Sequence, residues 1–321
     1  MKQKQIDILL VTYNQEKYIL QAMDGIFAQC LNDNLQMRII VADDCSTDGT
    51  LDVVKTYALK HDAEWVFLPN EKNLGIAENY KRAIAATTAD YVAILEGDDY
   101  WTDANRLQKH IDYLSTHTDC VMTKNNYFEY NQMQNEWRLV TSSRQYILLR
   151  NNINEYMLGN LSCSVFRGDV LRNVDARVYE FGEKQRHEAT DYYLTLGVLQ
   201  AGYGYVLDET MSVYRISTGG NISLRDMTGK EQIDKAYLCY KQTYEILGES
   251  YKRECYKFYL DTIKWVTEYN HAEKEKKWAE HCPPFFAHLI WVWMPKCWWW
   301  IKAAIRACIP NALHRRIKVK E

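Results

Sequence analysis

The sequence predicts an α/β fold with a mostly parallel central sheet flanked by helices. Apolar segments alternate with stretches of helical periodicity through residues 6–130, a pattern typical of βαβ units. The first apolar segment, residues 6–11, is continuous, as a parallel strand buried on both faces requires. Polar residues follow the ends of three predicted strands. Because ligands bind outside the carboxyl ends of strands in such sheets, we expect one crevice there.

Each element is predicted from its hydrophobic period and its flanking turn residues. The predicted strands comprise residues 6–11, 38–42, 65–68, 91–95 and 203–214. The predicted helices comprise residues 16–29, 50–60, 75–87, 103–115, 188–201, 228–247 and 250–277. The segment 116–146 has an irregular, β-like pattern. We therefore expect a sheet domain followed by a helical C-terminal extension.

Composition excludes several classes of protein. The 321-residue chain has a net charge of −3, with 47% hydrophobic and 25% charged residues, which argues against general disorder and against a polycation that binds nucleic acid. Its nine cysteines are scattered without a C-x-x-C pair, so we expect neither a zinc site nor a disulfide framework. The N-terminal apolar run is shorter than the roughly 7–15 residues of a secretory signal, which favours a cytoplasmic location.

The segment 281–321 differs from the rest of the chain. It holds seven Lys and Arg residues against one Glu, and five of the ten Trp residues. Its apolar stretch, residues 283–295, is shorter than the roughly 20 residues of a membrane span. Tryptophan with basic residues is typical of a helix that lies on a membrane surface, so we expect attachment to the cytoplasmic face of the inner membrane. The alternative is a helix packed on the protein itself or on a second copy.

Three carboxylates within four residues, Glu96, Asp98 and Asp99, follow the fourth predicted strand. Such crowding is unfavourable unless a cation is present, and Mg²⁺ takes carboxylates together with substrate phosphates. Gly97 between them would let the backbone approach a ligand closely. The alternative is a solvated acidic turn. The pair Asp43–Asp44 after the second strand favours a metal and nucleotide site over that alternative.

Other nucleotide-binding and hydrolase motifs are absent from the sequence. There is no G-x-x-x-x-G-K-[ST], no G-x-G-x-x-G, no G-x-S-x-G and no H-E-x-x-H. The loop N-L-G at 73–75 leads into a predicted helix. Asn73 could cap the start of this helix, or the helix start could face a phosphate.

Four ordered motifs resemble glycosyltransferase family two, which has the GT-A fold with a Rossmann-like sheet. They are V-T-Y-N at 11–14, D-D-C-S-T-D-G-T at 43–50, N-L-G at 73–75 and E-G-D-D-Y-W at 96–101. The last is similar to a subgroup common among bacterial surface-polysaccharide enzymes. The resemblance covers residues 5–225. Where many members have an Arg-Asn pair, this chain has Tyr80 and Lys81.

The resemblance implies a nucleotide-diphosphate sugar donor, usually a UDP-sugar, and Mg²⁺ or Mn²⁺ as cofactor. Tyr13 and Asp43 would hold the base, Glu96 would lie near the ribose, and Asp98 would bind the metal. The donor-binding set it implies is Thr12, Tyr13, Asn14, Asp43, Asp44, Asn73, Gly75, Glu96, Gly97, Asp98 and Arg215.

The resemblance also implies an inverting displacement in which Asp191 deprotonates a hydroxyl of a saccharide or lipid-linked acceptor. Asp191 could instead only favour the positive end of its helix, worth about 0.3–1 kcal/mol. Glu188 is the second candidate base. Arg215 could contact the diphosphate or pair with a carboxylate. Trp101, Asp99 and Glu188 are the predicted acceptor residues.

We expect three parts of the chain: a catalytic domain at 1–225, a helical extension at 226–280 and a membrane-associating tail at 281–321. The first part divides into a donor half, 1–115, and an acceptor half, 116–225. Two other functions compete with hexosyl transfer in polysaccharide biosynthesis. One is a sugar-phosphate nucleotidyltransferase, although V-T-Y-N stands where a Gly-rich segment would be. The other is a non-catalytic scaffold that binds sugar or lipid. Oligomerisation is compatible with the sequence.

Overall fold

A computed structural model describes residues 3–142, 144–148, 160–183, 190–216, 229–257, 259–260 and 264. All of the residues of the candidate site belong to one compact unit, which comprises residues 1–227 and 235–259. A second unit takes residues 228–234 and 260–321, most of which lie outside the described residues. No helix among the residues described has the length and apolar character needed to cross a membrane.

The described strands form one mixed sheet in the order β3-β2-β1-β4-β9-β6-β10-β5, with β7 beside β6 and β8 beside β10. They are β1 (Lys4–Thr12), β2 (Leu35–Asp43), β3 (Glu64–Phe67), β4 (Tyr91–Glu96), β5 (Tyr100–Trp101), β6 (Cys120–Asn131), β7 (Glu136–Val140), β8 (Tyr146–Ile147), β9 (Ser164–Arg167) and β10 (Tyr203–Ile216). The described helices are α1 (Ile19–Phe27), α2 (Thr50–Ala58), α3 (Ile76–Ala85), α4 (Arg106–Thr116), α5 (Gly168–Arg172), α6 (Arg177–Glu183), α7 (Thr190–Leu199) and α8 (Gly229–Leu247).

The first half of the sheet is parallel, as the sequence predicts. β1 pairs in parallel with both β2 and β4, and β2 pairs in parallel with β3. The second half is mixed, because β9 runs antiparallel between β4 and β6. The segment predicted as irregular is regular here: β6 extends over Cys120–Asn131 and forms a hairpin with β7.

Helices cover both faces of the sheet, which explains the continuous apolar run of β1. Ile8 and Leu10 pack in a cluster with Met23 of α1, while Leu9 and Val11 pack in a second cluster with Tyr80 of α3. Alternate side chains of a strand point to opposite faces, so a strand with helices on both sides is apolar at every position. β1 is the central element against which the candidate site is built.

Candidate active site

The carboxyl ends of β1, β2 and β4 meet at one edge of the sheet. Thr12 pairs with Asp43 of β2, and Val11 pairs with Glu96 of β4. Beyond the strands, the N–H of Asp44 donates to the carbonyl of Thr12 and the N–H of Gly97 donates to the carbonyl of Val11, each at 2.9 Å. The structure therefore brings the two acidic segments to either side of the end of β1.

The segment Glu96–Asp99 concentrates negative charge in a space with little solvent. Asp99 is fully buried and Asp98 is 9% exposed. Burial, followed by the charge of Asp98, raises the pKa of Glu96. Burial together with the charges of Asp98 and Glu96 raises the pKa of Asp99. The cluster is electrostatically unfavourable by itself, which is the condition that a bound cation relieves.

The donor atoms of this cluster fit a divalent cation that a substrate helps to hold. Asp99 Oδ2 is buried without a hydrogen-bond partner among the described residues. Within the same part of the chain, no group of three or more His, Cys, Asp or Glu side chains could hold a metal ion. Mg²⁺ commonly uses only one or two carboxylates and completes its shell with water and phosphates. Asp98 remains the predicted ligand, with the phosphates supplied by a nucleotide.

Arg215 of β10 holds the acidic segment Glu96–Asp99 through hydrogen bonds to Asp98 and Asp99. Its N–H donates to Asp99 Oδ1 at 2.9 Å. Its guanidinium donates to the carbonyl of Asp98 and to Gln21 Oε1, and lies over the ring of Tyr100 at 4.6 Å. The sequence left open whether Arg215 contacts a diphosphate or pairs with a carboxylate. The structure uses its guanidinium to fix the turn that carries Asp98, and contact with a diphosphate stays a prediction.

Gly97 packs closely against side chains around the end of β1. A Cβ atom there would meet Gln15 Oε1 at 2.5 Å, Ile19 Cδ1 at 2.6 Å and Thr12 Oγ1 at 2.9 Å, so these side chains would have to shift. The absence of a side chain lets the acidic segment lie directly against the loop that follows β1. The sequence interpretation, that glycine lets a ligand approach closely, stays a prediction.

The loop after β1 and the loop after β2 are joined by hydrogen bonds. Asn14, in a left-handed conformation with φ 52°, accepts from the N–H of Thr47 at 2.8 Å and donates its own N–H to Ser46 Oγ at 2.9 Å. Asp43 accepts from the N–H of Ser46 at 2.9 Å. Tyr13 is 45% exposed beside them. A flat, exposed ring next to a buried carboxylate suits the predicted contact with a base.

Asp44 fixes the loop that precedes α3. Its carboxylate accepts the N–H of Leu74 at 2.8 Å and of Gly75 at 2.9 Å, and Asn73 Nδ2 donates to the Asp44 carbonyl at 3.1 Å. Gly75 has φ 84°, a conformation that favours glycine. These contacts give Asp44, Asn73 and Gly75 a structural role. Their predicted contact with the donor stays untested.

Asp191 lies in the first turn of α7, in the acceptor half of the chain. Its Oδ2 accepts the N–H of Asn160 at 3.2 Å, and its Oδ1 accepts the N–H of Tyr192 at 2.7 Å. Its charge also contributes to raising the pKa of Glu96. The carboxylate therefore favours the start of its own helix and at the same time lies near the acidic segment.

Tyr214 of β10 is influenced electrostatically by carboxylates from both predicted halves of the catalytic domain, 1–115 and 116–225. Burial raises the pKa of its phenol, and the charges of four carboxylates raise it further. These carboxylates are Glu96, Asp99, Asp191 and Asp98. The charges of the predicted base and of the predicted metal ligand thus both act on this one side chain.

Two predicted acceptor residues are inaccessible. Trp101 is 4% exposed, its Nε1 donates to the carbonyl of Ser162 at 2.8 Å, and the guanidinium of Arg106 stacks on its ring at 4.4 Å. Asp99 is fully buried. Both side chains are buried within the domain in this structure, and their predicted contact with the acceptor stays a prediction. Glu188 lies outside the described residues.

Sequence reasoning missed two polar side chains that hold Glu96. Tyr80 of α3 donates its hydroxyl to Glu96 Oε1 at 2.5 Å, and Ser162 Oγ accepts the Glu96 N–H at 3.1 Å. The only signal for Tyr80 was its position where many family members have arginine or asparagine. The structure places Ser162 in the turn Leu161–Cys163 that precedes β9.

A sequence profile described as Glycosyl transferase family 2 matches residues 7–174, more than half of the chain. An uncharacterized protein of Mycobacterium tuberculosis, Rv1520, is 36% identical over 117 residues, which is 36% of this chain and 33% of that protein. The putative glycosyltransferase EpsE of Bacillus subtilis is 29% identical over 112 residues, 35% of this chain and 39% of EpsE. The matches span about a third of the length of these curated relatives.

Solved structures share the fold. Staphylococcus aureus TarS 1–349 in complex with UDP-GlcNAc has a TM-score of 0.60 at 19% identity, with 80% of this chain and 72% of that chain covered. The mannosyltransferase PcManGT of Pyrobaculum calidifontis, in complex with GDP-Man and Mn²⁺, has a TM-score of 0.56 at 16% identity, covering 89% and 78%. The predicted GT-A-like α/β fold is confirmed.

Proposed function

Because this chain belongs to glycosyl transferase family 2, we propose that it moves a sugar from a nucleotide-diphosphate donor to an acceptor hydroxyl. The donor is a UDP-sugar and the acceptor is a saccharide or lipid-linked saccharide in polysaccharide biosynthesis. The observation that carries the proposal is the turn at residues 160–163, where Ser162 Oγ accepts the N–H of Glu96 at 3.1 Å and the N–H of Asn160 donates to Asp191 Oδ2 at 3.2 Å.

The donor would lie along the carboxyl ends of β2, β1 and β4. Tyr13 offers an exposed ring for the base, and Asp43 offers a carboxylate for its N–H groups or for a ribose hydroxyl. The diphosphate would then lie near Asp98. This placement of the base is supported by hydrogen bonding between the loops after β1 and β2. The bond from the Thr47 N–H to Asn14 keeps the loop that carries Tyr13 against the loop that follows Asp43.

Mg²⁺ or Mn²⁺ bound at Asp98 would supply Lewis acidity for the charge that develops on the leaving diphosphate. The chain itself orients that ligand, because Arg215 fixes the Asp98 carbonyl and the neighbouring Asp99 carboxylate. The structurally similar mannosyltransferase PcManGT, solved in complex with GDP-Man and Mn²⁺, is consistent with this cofactor.

Asp191 would act as the general base. It would take the proton of the acceptor hydroxyl while that oxygen attacks the anomeric carbon from the face opposite the diphosphate, which inverts the configuration. General base catalysis typically contributes 10²–10⁴-fold. Holding donor and acceptor in line would supply much of the remaining acceleration. The N–H groups of Asn160 and Tyr192 keep the Asp191 carboxylate in place.

The division of the chain into 1–225, 226–280 and 281–321 stays a prediction. The tail 281–321 lies outside the described residues. We propose from its sequence that it holds the enzyme on the cytoplasmic face of the inner membrane, where a lipid-linked acceptor would be found.

The proposal is tested by incubating the full chain with a panel of UDP-sugars, with and without saccharide acceptors, and by measuring UDP release. Release that depends on Mn²⁺ and on one sugar is expected. Omission of Mn²⁺ and the Asp191→Asn variant serve as controls. Failure to release UDP from any donor would favour the non-catalytic scaffold, and release of pyrophosphate in a parallel incubation with UTP and a sugar 1-phosphate would favour a nucleotidyltransferase.

A further inference from the structure

Arg106, the first residue of α4, is a fully buried cation. Its Nη2 donates to the carbonyl of Ser162 at 3.2 Å, and its Nε donates to Asn125 Oδ1 at 2.9 Å. Burial lowers the pKa of the guanidinium to about 9, and within the described residues Nη1 donates to no acceptor. An apolar side chain of similar size often serves the fold as well as a buried ion does, so stability alone does not explain this arginine.

A neutral histidine fixes the side chain that holds Arg106. His110 is fully buried; its Nε2 lies 3.1 Å from Asn125 Oδ1, and its Nδ1 lies 2.7 Å from Thr123 Oγ1. Burial, together with the charge of Arg106, lowers the pKa of His110 well below its ordinary value. Because an amide oxygen only accepts, the neutral ring donates from Nε2 and accepts the Thr123 hydroxyl at Nδ1. Asn125 Nδ2 donates to Ser212 Oγ at 2.9 Å, so the amide has a fixed orientation.

The turn that Arg106 holds carries contacts to both predicted halves of the site. Ser162 Oγ accepts the N–H of Glu96 at 3.1 Å, and the N–H of Asn160 donates to Asp191 Oδ2 at 3.2 Å. Within the described residues, no hydrogen bond joins Arg106 directly to Glu96 or to Asp191. A shift of the Ser162 carbonyl would therefore move both contacts, although Arg106 touches neither carboxylate.

We propose that Arg106 is a positioning residue that sets the place of Asp191 relative to Glu96, acting through the turn at residues 160–163. The inference rests on the proposed function and adds a residue that contacts neither substrate. Misplacing a reacting group by about 1 Å can lower a rate about 10²-fold, so a side chain remote from the chemistry can control turnover. Donor binding should not depend on Arg106, because the loops after β1 and β2 are joined without it.

The test replaces Arg106 with methionine, which keeps an unbranched apolar chain and removes both hydrogen bonds. UDP-binding sites are counted by calorimetry with UDP and Mn²⁺, so that unfolded protein does not enter kcat. With the donor and acceptor that the UDP-release panel identifies, we expect kcat per UDP-binding site to fall about 10–100-fold and UDP affinity to stay unchanged. In an Asp191→Asn chain, Arg106→Met should cause no further loss, because the group that it positions no longer takes the proton.

Arg167→Met is the matched control. Arg167, the last residue of β9, also donates to main-chain carbonyls: Nε to Cys120 at 2.7 Å, and Nη2 to Leu114 at 2.5 Å and to His117 at 2.9 Å. It joins the end of α4 to the start of β6, away from the turn at residues 160–163. We expect Arg167→Met to lower the free energy of unfolding and to leave kcat per UDP-binding site unchanged.

A second variant and a second measurement cover the case in which Arg106→Met folds poorly. Ser162→Ala removes only the hydroxyl that links the turn to Glu96, and it should lower kcat per UDP-binding site in the same way. Hydrogen exchange needs no acceptor. The amides of Glu96 and Asn160 should exchange faster in Arg106→Met than in the unaltered chain, and Arg167→Met should leave them unchanged.

Three results would overturn the inference while leaving the proposed function intact. One is an equal loss of kcat from Arg106→Met with and without Asp191, which indicates a general effect on the fold. Another is unchanged kcat and unchanged amide exchange in Arg106→Met. The third is unchanged kcat in Ser162→Ala. Absence of both UDP binding and transfer by the unaltered chain would instead contradict the proposed function, and the inference with it.

Discussion

The backbone N–H of Glu96 donates a hydrogen bond to Ser162 Oγ at 3.1 Å. Two residues before Ser162, the N–H of Asn160 donates to Asp191 Oδ2 at 3.2 Å. One short turn in the acceptor half thus contacts both the end of β4 and the predicted base. The carbonyl of Ser162 is fixed in turn by Trp101 and Arg106. The relative position of donor and acceptor groups therefore depends on this turn.

Replacing Asp191 with asparagine should abolish transfer and spare donor binding. The amide keeps the size of the side chain and removes the group that takes the proton. We expect the transfer rate to fall by about 10²–10⁴-fold. Steady-state assays with the acceptor and calorimetry with UDP separate the two effects. Normal turnover by Asp191→Asn would exclude it as the base and leave only its contact with the start of α7.

Replacing Asp98 with alanine should remove the metal dependence of donor binding. Loss of a group that only orients a metal ligand costs about 10–100-fold in metal affinity, so loss of a ligand should cost at least that much. Asp90→Ala is a suitable control, because Asp90 is exposed at the other end of β4, where it accepts the N–H of Gln5. Calorimetry of UDP with and without Mn²⁺ measures the difference. Equal Mn²⁺ dependence in both variants would contradict the assignment.

Replacing Trp101 with phenylalanine should destabilise the fold without changing acceptor affinity. The change removes the hydrogen bond to the Ser162 carbonyl and reduces the aromatic surface on which Arg106 stacks. A loss of about 1–3 kcal/mol in the free energy of unfolding is expected. Trp137→Phe, at a side chain that is 54% exposed, should stay within about 0.5 kcal/mol. Denaturant unfolding and the acceptor KM check both. A raised acceptor KM at unchanged stability would restore Trp101 as an acceptor residue.

The tail 281–321 should bind membranes that contain anionic phospholipid. Four basic residues near its end, Arg315, Arg316, Lys318 and Lys320, should each contribute about 1 kcal/mol near such a surface. Flotation with vesicles compares the full chain, a chain ending before Pro283 and a full chain with these four residues changed to serine. We expect recovery with the vesicles to fall in both variants. Unchanged recovery of the shortened chain would refute attachment through the tail.

The parallel half of the fold was predictable because its signals are local. The continuous apolar run of β1 follows from burial on both faces of the sheet. The polar residues after β2 and β4 mark the carboxyl ends of the strands, where ligands bind in such sheets. The insertion of β9 between β4 and β6 was not predictable, since it depends on pairing between segments far apart in sequence. The regular pattern of β6 was missed for the same reason, because its burial is set by its neighbours.

At the site, residue types were predicted better than their partners. The carboxylates Asp43, Glu96 and Asp98 do lie at one edge, as their positions after strands indicated. Tryptophan suits both a sugar contact and a core, and only the tertiary structure shows that Trp101 is buried. Tyr80 was missed because its partner, Glu96, lies on another element, and no local spacing reveals such a contact.

The central claim is that carboxylates from both halves of the chain serve one transfer reaction. A crystal structure of the full chain with a UDP-sugar and Mn²⁺ tests it most directly. We predict that the base lies between Tyr13 and Asp43, that the metal joins Asp98 to the diphosphate, and that the anomeric carbon faces Asp191 from the side opposite the diphosphate. A nucleotide bound away from the end of β1, or a sugar with its anomeric carbon turned away from Asp191, would contradict the account.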